Sequence, residues 1–202
     1  NHCSMQMQQF CDVMEKGAES PYYDWFLIDG AYPVPSRANY ECFAECTYMP
    51  KLDTANREVQ EYLIREMTGV FTRSRADYVK WDMNRQLTDV ASFQLKGRSQ
   101  GELYHRYVLG LYELQERMLR DFPHILLENC ASGGARFDAG MLYYGPQIWT
   151  SDNTDAIDRL KIQEGTAMIY PLSAMGAHVA ACPSHTNGRT TPFATRAGVA
   201  LP

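Results

Sequence analysis

The sequence predicts an α/β fold in which parallel strands alternate with helices. Apolar segments of strand length alternate along the chain with segments whose apolar residues recur every three or four positions, the spacing of one helix face. The strands are apolar through most of their length, as strands in parallel sheets usually are. Polar residues stand at their carboxyl ends, which is where parallel α/β folds build their sites.

The first half of the chain starts with a predicted helix over residues 4–16, and a proline-punctuated, loop-rich stretch follows it. A second helix is predicted over 56–73, because its apolar residues form a single stripe. A strand over 77–82 comes next, and then a long helix over roughly 100–121 that ends before Pro123. Strand and helix together give the first βα unit.

The second half continues this alternation. Strands are predicted over 124–130 and 146–152, with a loop between them. A helix then begins near residue 154, where Thr154 or Asp155 is well placed as the N-cap. A fourth strand is predicted over 176–182.

Composition and charge exclude several classes of function. The formal net charge is −5 and the chain has no basic run, so we expect no nucleic-acid partner. It has no apolar run of about 18 or more residues, so we expect no membrane span. The six cysteines have neither paired spacing nor a disulfide framework, which favours reduced thiols and a cytoplasmic location.

The stretch "DYVKWDMNR", residues 77–85, carries polar side chains at alternate positions of a predicted strand. Residues two apart in a strand project from the same face. The polar set is Lys80, Asp82 and Asn84, and the apolar set on the opposite face is Val79, Trp81 and Met83. We expect the polar face to line a pocket.

Two carboxylates at the ends of different strands, Asp82 and Asp152, match the needs of retaining glycoside hydrolysis. One carboxylate attacks the anomeric carbon and the other protonates the leaving oxygen. Lys80 on the same strand face would keep Asp82 ionised, and burial beside Trp149 would raise the pKa of the acid. Two structural interpretations stay open: an ion pair between Asp82 and Lys80, and an aspartate that merely caps a helix.

Three long segments resemble the α-galactosidases of glycoside hydrolase family 36. They read "DYVKWDMNR", "ENCASGGARFDAGMLYYGPQIWTSDNTDAIDRLKIQ" and "YPLSAMGAHVAACPSHTNGRTTP", and the resemblance runs from about residue 57 to 202. It implies a retaining, exo-acting enzyme on a partial (β/α)8 TIM barrel with parallel strands and outer helices. The implied substrates are oligosaccharides with terminal α-galactose, such as raffinose and melibiose.

The same resemblance assigns site residues. Asp82 of the KWD motif falls on the family's nucleophile, and Asp152 of the WTSD segment falls on its acid/base. The substrate-binding residues are predicted to be Lys80, Asn84, Cys130, Ser132, Gly133 and Trp149, with Ser132 at a position where many members have Gly. No metal or organic cofactor is expected, because two carboxylates do the nucleophilic and proton work.

Residues 1–56 resemble a different family, the neopullulanase-like members of glycoside hydrolase family 13. The segments are "NHCSMQMQQFCDVMEKGAESPYYDWFLIDG", "NYECF" and "MPKLDTANREVQEYL". In that family Asn1 and His2 would close the third barrel strand. We therefore expect one incomplete catalytic barrel over 1–202, cut at both ends, with a family-13-like segment over 1–56 and a family-36-like segment over 57–202.

Three functions remain in view. The first is an α-galactosidase that acts on galactose-containing oligosaccharides and is a homo-oligomer in the complete protein. The second is a family-13-type α-glucan hydrolase that uses Asp82 with Glu128 as its acid. The third is a barrel piece without catalysis.

Overall fold

The computed structural model describes residues 9, 12, 13, 15–26, 28, 29, 52–83, 87 and 90–201. The chain forms two compact units. The first unit comprises Asn1–Arg75 and Leu87–Pro123, and the second comprises Ala76–Gln86 and His124–Pro202. The predicted site residue Asn84 and the pair Asn1 and His2 lie outside the described residues.

Among the described residues, six strands and five helices have defined bounds, and strands alternate with helices except between the second and third strands. The strands are β1 (Ile28–Asp29), β2 (Tyr78–Asp82), β3 (Val90–Ala91), β4 (Leu126–Cys130), β5 (Gln147–Trp149) and β6 (Met175–Gly176). The helices are α1 (Arg57–Ser74), α2 (Leu103–Asp121), α3 (Ala139–Tyr144), α4 (Ala156–Ala167) and α5 (Phe193–Ala200). Short 3-10 turns lie at Gly17–Glu19, Tyr23–Trp25, Gly97–Glu102 and Leu172–Ala174.

The second unit is built on a four-stranded sheet in the order β2-β4-β5-β6. All three neighbouring pairs are parallel. Along the chain α2 lies between β2 and β4, and α3 lies between β4 and β5. The predicted α/β fold with a parallel sheet is therefore confirmed. In the first unit β1 and β3 form an antiparallel pair that was not predicted from the sequence.

Side-chain caps explain where three helices begin. The carboxamide of Asn56 accepts the backbone N–H of Glu58 at 2.9 Å, so α1 starts after Asn56. Asp155 accepts the N–H of Asp158 at 3.0 Å, which confirms Asp155 as the N-cap of α4. Asp138 caps the six-residue helix α3, which was not predicted. Such a helix is too short to show a clear apolar period.

The core of the first unit is aromatic. Trp25 packs on Tyr62 with ring centroids 5.2 Å apart, and Val59 is fully buried nearby in the same cluster. An ion pair joins the two long helices, since Arg117 of α2 donates to both carboxylate oxygens of Glu61 of α1. Residues 9, 12, 13, 15 and 16 are helical, within the predicted helix over 4–16.

The parallel sheet has two different faces. Side chains alternate along each strand, and paired residues of parallel neighbours share a face. One face, here called the polar face, carries Lys80, Asp82, Glu128, Cys130, Gln147 and Trp149. The opposite face, here called the apolar face, carries Val79, Leu127, Ile148 and Met175, and the last three of these are at most 4% exposed.

Two predicted strands extend well beyond the carboxyl ends of the observed ones. The strand predicted over 176–182 is wrong beyond Gly176, because residues 177–182 form no ladder. Arg196 instead donates to the carbonyl of Ala180, which a strand would direct toward a neighbour. The strand predicted over 146–152 ends at Trp149, so Asp152 lies in a turn.

Candidate active site

The site is built at the carboxyl edge of the parallel sheet. β2 ends at Asp82 and β4 ends at Cys130, and these two residues are direct partners across the strands. β5 ends at Trp149, three residues before Asp152. Because parallel strands end at the same edge, both predicted carboxylates belong to one edge of the sheet.

Lys80 and Glu128 form an ion pair at the centre of the polar face. The Lys80 ammonium lies 3.1 Å from Oε1 of Glu128 on the neighbouring strand. The Tyr78 hydroxyl donates to Oε2 of the same carboxylate. Burial and this hydrogen bond to Glu128 raise the pKa of Tyr78 well above its usual range. Glu128 is only 7% exposed, so its carboxylate is held from two sides inside the sheet face.

Trp149 lies between that pair and the second carboxylate. The Lys80 ammonium is 4.4 Å from the centroid of the indole ring, and the Arg159 guanidinium is 4.5 Å from it. Both distances are within the range of cation–π attraction. The indole N–H donates to Oδ1 of Asp152 at 3.0 Å. A chain of contacts thus runs from Lys80 through Trp149 to Asp152.

Cys130 lies directly beside the first carboxylate. Its side chain is buried, and its thiol donates a hydrogen bond to Asp82. Burial first, and then the hydrogen bond to Asp82, raise the pKa of the Cys130 thiol to about 11. At neutral pH the thiol is therefore a hydrogen-bond donor to Asp82 and not a nucleophile.

The loop after β4 packs against the backbone that carries Asp152. Gly133 has φ +81°, and a Cβ there would lie 2.8 Å from the Cα of Ser151. A Cβ on Gly134 would lie 2.6 Å from the carbonyl oxygen of Thr150. Ser132 is exposed and has a left-handed backbone with φ 50°. Only glycine therefore fits at 133 and 134 with this backbone spacing.

Arg159 of α4 reaches the same backbone. Its guanidinium donates to the carbonyl of Ser151 at 3.2 Å and to the carbonyl of Gly176 at 2.8 Å. The side chain is almost fully buried, and burial lowers the pKa of the guanidinium. Arg159 therefore ties the end of β5 to β6.

The turn that contains Asp152 is held by short-range hydrogen bonds. The N–H of Asn153 donates to the Ser151 hydroxyl at 3.1 Å, and the N–H of Asp155 donates to the Asn153 carboxamide at 3.0 Å. Asp152 itself is exposed, which differs from the predicted burial beside Trp149. The reason is that β5 ends three residues earlier, so the indole reaches Asp152 by its polar N–H edge and does not enclose it.

Direct contacts join the predicted residues in two groups at the same edge of the sheet: Lys80, Trp149 and Asp152 form one, and Asp82 and Cys130 form the other. Gly133 reaches the same segment by close backbone approach. Tyr78 and Arg159 were missed. The alternation that identified Lys80 and Asp82 extends back to Tyr78 and could have found it. Arg159 gives no such signal, since an arginine on a helix usually faces solvent.

The part of the chain that the structure describes holds neither a metal-binding cluster nor a membrane-spanning helix. No three His, Cys, Asp or Glu side chains come together there in a way that could hold a metal ion. None of the helices described combines the length and apolar content needed to cross a bilayer.

Comparison with known proteins places this geometry in a family. The Melibiase family model matches residues 34–202. The chain is 47% identical over 174 residues to alpha-galactosidase Mel36A of Lactobacillus acidophilus, which covers 86% of this chain and 22% of that protein. It is 52% identical over 150 residues to alpha-galactosidase AgaA of Geobacillus stearothermophilus, which covers 74% of this chain and 21% of that protein. The chain thus spans about a fifth of the length of these relatives.

Solved structures agree in fold. The crystal structure of AgaA superposes with a TM-score of 0.77 at 47% identity, covering 88% of this chain and 23% of that chain. Variants of AgaA have been crystallised with raffinose and with stachyose, and both match this chain with a TM-score of 0.78 or 0.77. The family match begins at residue 34, inside the segment 1–56, and the division of the chain at residue 56 stays a prediction.

Proposed function

Because the chain belongs to the melibiase family, we propose that the protein is a retaining α-galactosidase that removes terminal α-D-galactosyl residues from oligosaccharides such as raffinose and melibiose. The observation that carries this proposal is the pair of carboxylates at one edge of the sheet. Asp82 accepts a hydrogen bond from the Cys130 thiol, and Asp152 accepts one from the Trp149 indole. The strands between them carry the polar face on which a sugar would lie.

Asp82 is the proposed nucleophile. Its carboxylate attacks the anomeric carbon, the bond to the leaving oxygen breaks, and a covalent galactosyl–enzyme ester forms. The Cys130 thiol donates to this carboxylate, and the positive charge of Lys80 stands two residues before it on the same strand face. The thiol contact orients the carboxylate, and Lys80 places a positive charge on the same face of the strand.

Asp152 is the proposed acid/base. It gives its proton to the leaving oxygen in the first step and takes a proton from the attacking water in the second, so the enzyme returns to its starting state. The indole N–H holds Oδ1 of Asp152. An exposed carboxylate in a turn at the edge of the sheet can exchange protons with water between turnovers.

The spacing of the two aspartates supports these roles. The AgaA variants crystallised with stachyose and with raffinose each carry one substituted aspartate, and those two aspartates are 70 positions apart in that protein. Asp82 and Asp152 are also 70 positions apart. Substituting a reacting carboxylate is an ordinary way to trap an intact substrate.

The family-13-type alternative receives less support from the polar face. It needs Glu128 as the proton donor, yet Lys80 and the Tyr78 hydroxyl hold both oxygens of that carboxylate. We propose that Glu128 instead orients Lys80, which with Cys130 and Trp149 binds galactose hydroxyls and the sugar face. Asn84, Ser132 and Gly133 keep their proposed substrate-binding roles.

A substrate pair tests the proposal. The full-length protein should hydrolyse p-nitrophenyl α-galactoside and raffinose, with little action on p-nitrophenyl α-glucoside. Faster cleavage of the glucoside would favour the α-glucan alternative. Absence of turnover on every substrate, in a folded protein, would leave the non-catalytic interpretation.

Rescue by azide tests the roles of Asp82 and Asp152 separately. In Asp152→Ala, azide should attack the galactosyl–enzyme ester and yield α-galactosyl azide, with retention. In Asp82→Ala, azide should displace the leaving group directly and yield the β anomer. The same anomer from both variants, read by NMR, would contradict the assignment.

Assembly and location complete the proposal. We propose a closed (β/α)8 barrel, a homo-oligomer and a cytoplasmic location for the full-length protein. The thiols of Cys130 and Cys182 are free, in line with a reducing compartment. Gel filtration with light scattering gives the subunit number directly.

A further inference from the structure

We propose that Arg159 is a positioning residue for the general acid: it fixes the Trp149 indole and the Ser151 backbone so that Asp152 is held in reach of the leaving oxygen. This inference rests on the proposed function. It concerns a helix residue that was not among the predicted site residues and that touches neither reacting carboxylate in the contacts described above.

The Arg159 guanidinium makes three contacts around the acid. Two of them are to the segment that ends in Asp152, and the third is to the neighbouring strand β6. They are the Ser151 carbonyl at 3.2 Å, the Gly176 carbonyl at 2.8 Å and the Trp149 ring at 4.5 Å. Ser151 precedes Asp152, and the Trp149 indole donates to Asp152 Oδ1. Arg159 thus contacts both the backbone that precedes Asp152 and the indole that donates to the Asp152 carboxylate.

Burying the Arg159 cation has a free-energy cost. Arg159 is 4% exposed, and the loss of water around it is strong enough to lower the pKa of the guanidinium. Contacts with neutral carbonyls and an aromatic face offset only part of the free-energy cost of burying a charge. An uncharged side chain of similar volume would fill the same space at lower cost. The charge is therefore best explained by what it positions.

Two cations and an imidazole ring lie against the Trp149 indole. The ammonium of Lys80 and the guanidinium of Arg159 lie at nearly equal distances from the ring centroid. His178 also packs on it, with ring centroids 4.0 Å apart. A ring bounded in this way has few rotamers left. Its N–H therefore keeps one direction, toward Asp152.

The chain supplies a matched control in the same unit. Arg196 donates to two backbone carbonyls, those of Ala180 and Thr191, and lies over the Phe193 ring at 5.6 Å. Its contacts are of the same kind as those of Arg159, but they involve neither Trp149 nor Ser151. Arg196 is partly exposed whereas Arg159 is buried, so Arg196 controls for the lost carbonyl hydrogen bonds and not for the change in burial. Only loss of Arg159 should affect proton donation.

The experiment compares kcat/KM on two substrates in the full-length protein. This ratio reports the step that forms the galactosyl–enzyme ester. p-Nitrophenolate leaves without a proton, whereas the sucrose unit of raffinose needs one. We expect Arg159→Met to lower kcat/KM on raffinose by about 10- to 100-fold, because a misplaced acid loses that much. On p-nitrophenyl α-galactoside we expect a loss below about 3-fold.

Further variants separate positioning from folding. Arg159→Lys keeps the charge and can bond one carbonyl, so it should recover part of the raffinose activity. Arg196→Met should lower both activities equally or not at all. Arg159→Lys can also be made in a Trp149→Phe background, which lacks the indole N–H. Its selective effect on raffinose should be smaller there than in the parent, because the effects of two residues that act through the same contact are not additive.

Several results would overturn the inference. Equal losses on both substrates in Arg159→Met, or the same selective loss in Arg196→Met, would give Arg159 a structural role only. So would failure of both Arg159 variants to fold while Arg196→Met folds. The parent protein decides the proposed function independently, because it must hydrolyse both substrates before any variant is compared.

Discussion

The two faces of the parallel sheet are made by alternate residues of the same strands, yet they are organised in opposite ways. On the apolar face Leu127, Ile148 and Met175 are buried and need no partners. On the polar face Lys80, Glu128 and Trp149 depend on specific charged or hydrogen-bonded neighbours. From this contrast we expect residues of the apolar face to determine stability and residues of the polar face to determine chemistry. Substitutions on each face test that division.

The largest expected effect is on the polar face. Asp82→Asn removes the attacking carboxylate and should lower kcat for α-galactosides by about 10⁴-fold or more. The melting temperature should change little, because the amide keeps the shape and can still accept from Cys130. Activity assays and thermal melts on the same preparation check both halves. Substantial residual turnover would remove Asp82 from the nucleophile role.

The next effect is on the apolar face. Leu127→Ala should lower the free energy of unfolding by about 2–5 kcal/mol, because it leaves a cavity at a site that is 1% exposed. The matched control is Leu126→Ala on the same strand, where the side chain is 59% exposed. We expect the control to stay within about 0.5 kcal/mol. Equal losses, measured by urea unfolding, would contradict the division between the faces.

A smaller effect should come from the central ion pair. Glu128→Gln removes the charge that faces Lys80, so the ammonium loses its orientation and KM for galactosides should rise about 10-fold. Stability should change little, since Lys80 is about one-third exposed and solvent screens the pair. Glu61→Gln, which breaks the exposed pair with Arg117, is the control. It should leave KM unchanged.

The smallest effect concerns the thiol beside Asp82. The folded-state pKa of Cys130 is about 11, above the ordinary 9.0, so the folded protein keeps the proton that the unfolded chain loses. The stability from this thiol is complete below pH 9 and is lost as the pH rises through 11. Cys130→Ser should therefore flatten the stability decline between pH 9 and 11. An unchanged slope would show that the thiol is not buried as described.

Local rules predicted part of this molecule well. The alternation of Lys80 and Asp82 and the position of Asp155 as an N-cap both follow from neighbours in sequence, and the structure has both. The order of strands and helices, and with it the parallel sheet, also followed from periodicity. These features depend on residues a few positions apart.

Features that depend on distant residues were not predictable in this way. The length of the last strand depends on where Arg196 takes the Ala180 carbonyl, sixteen residues away. The exposure of Asp152 depends on β5 ending at Trp149, which the apolar pattern did not show. Arg159 became visible only when the fold brought it to the Ser151 and Gly176 carbonyls.

The two glycines after β4 have a consequence for protein engineering. Because the backbone at Gly133 and Gly134 touches Ser151 and Thr150, any side chain there would displace the segment that carries Asp152. Ser132, next to them, is exposed, and its left-handed backbone with φ 50° favours Gly, Asn or Asp among possible replacements. A library that varies Ser132 and leaves both glycines intact would alter the rim of the proposed sugar site while keeping the spacing between the loop and Asp152. Variation at the glycines would instead produce inactive clones whatever the substrate.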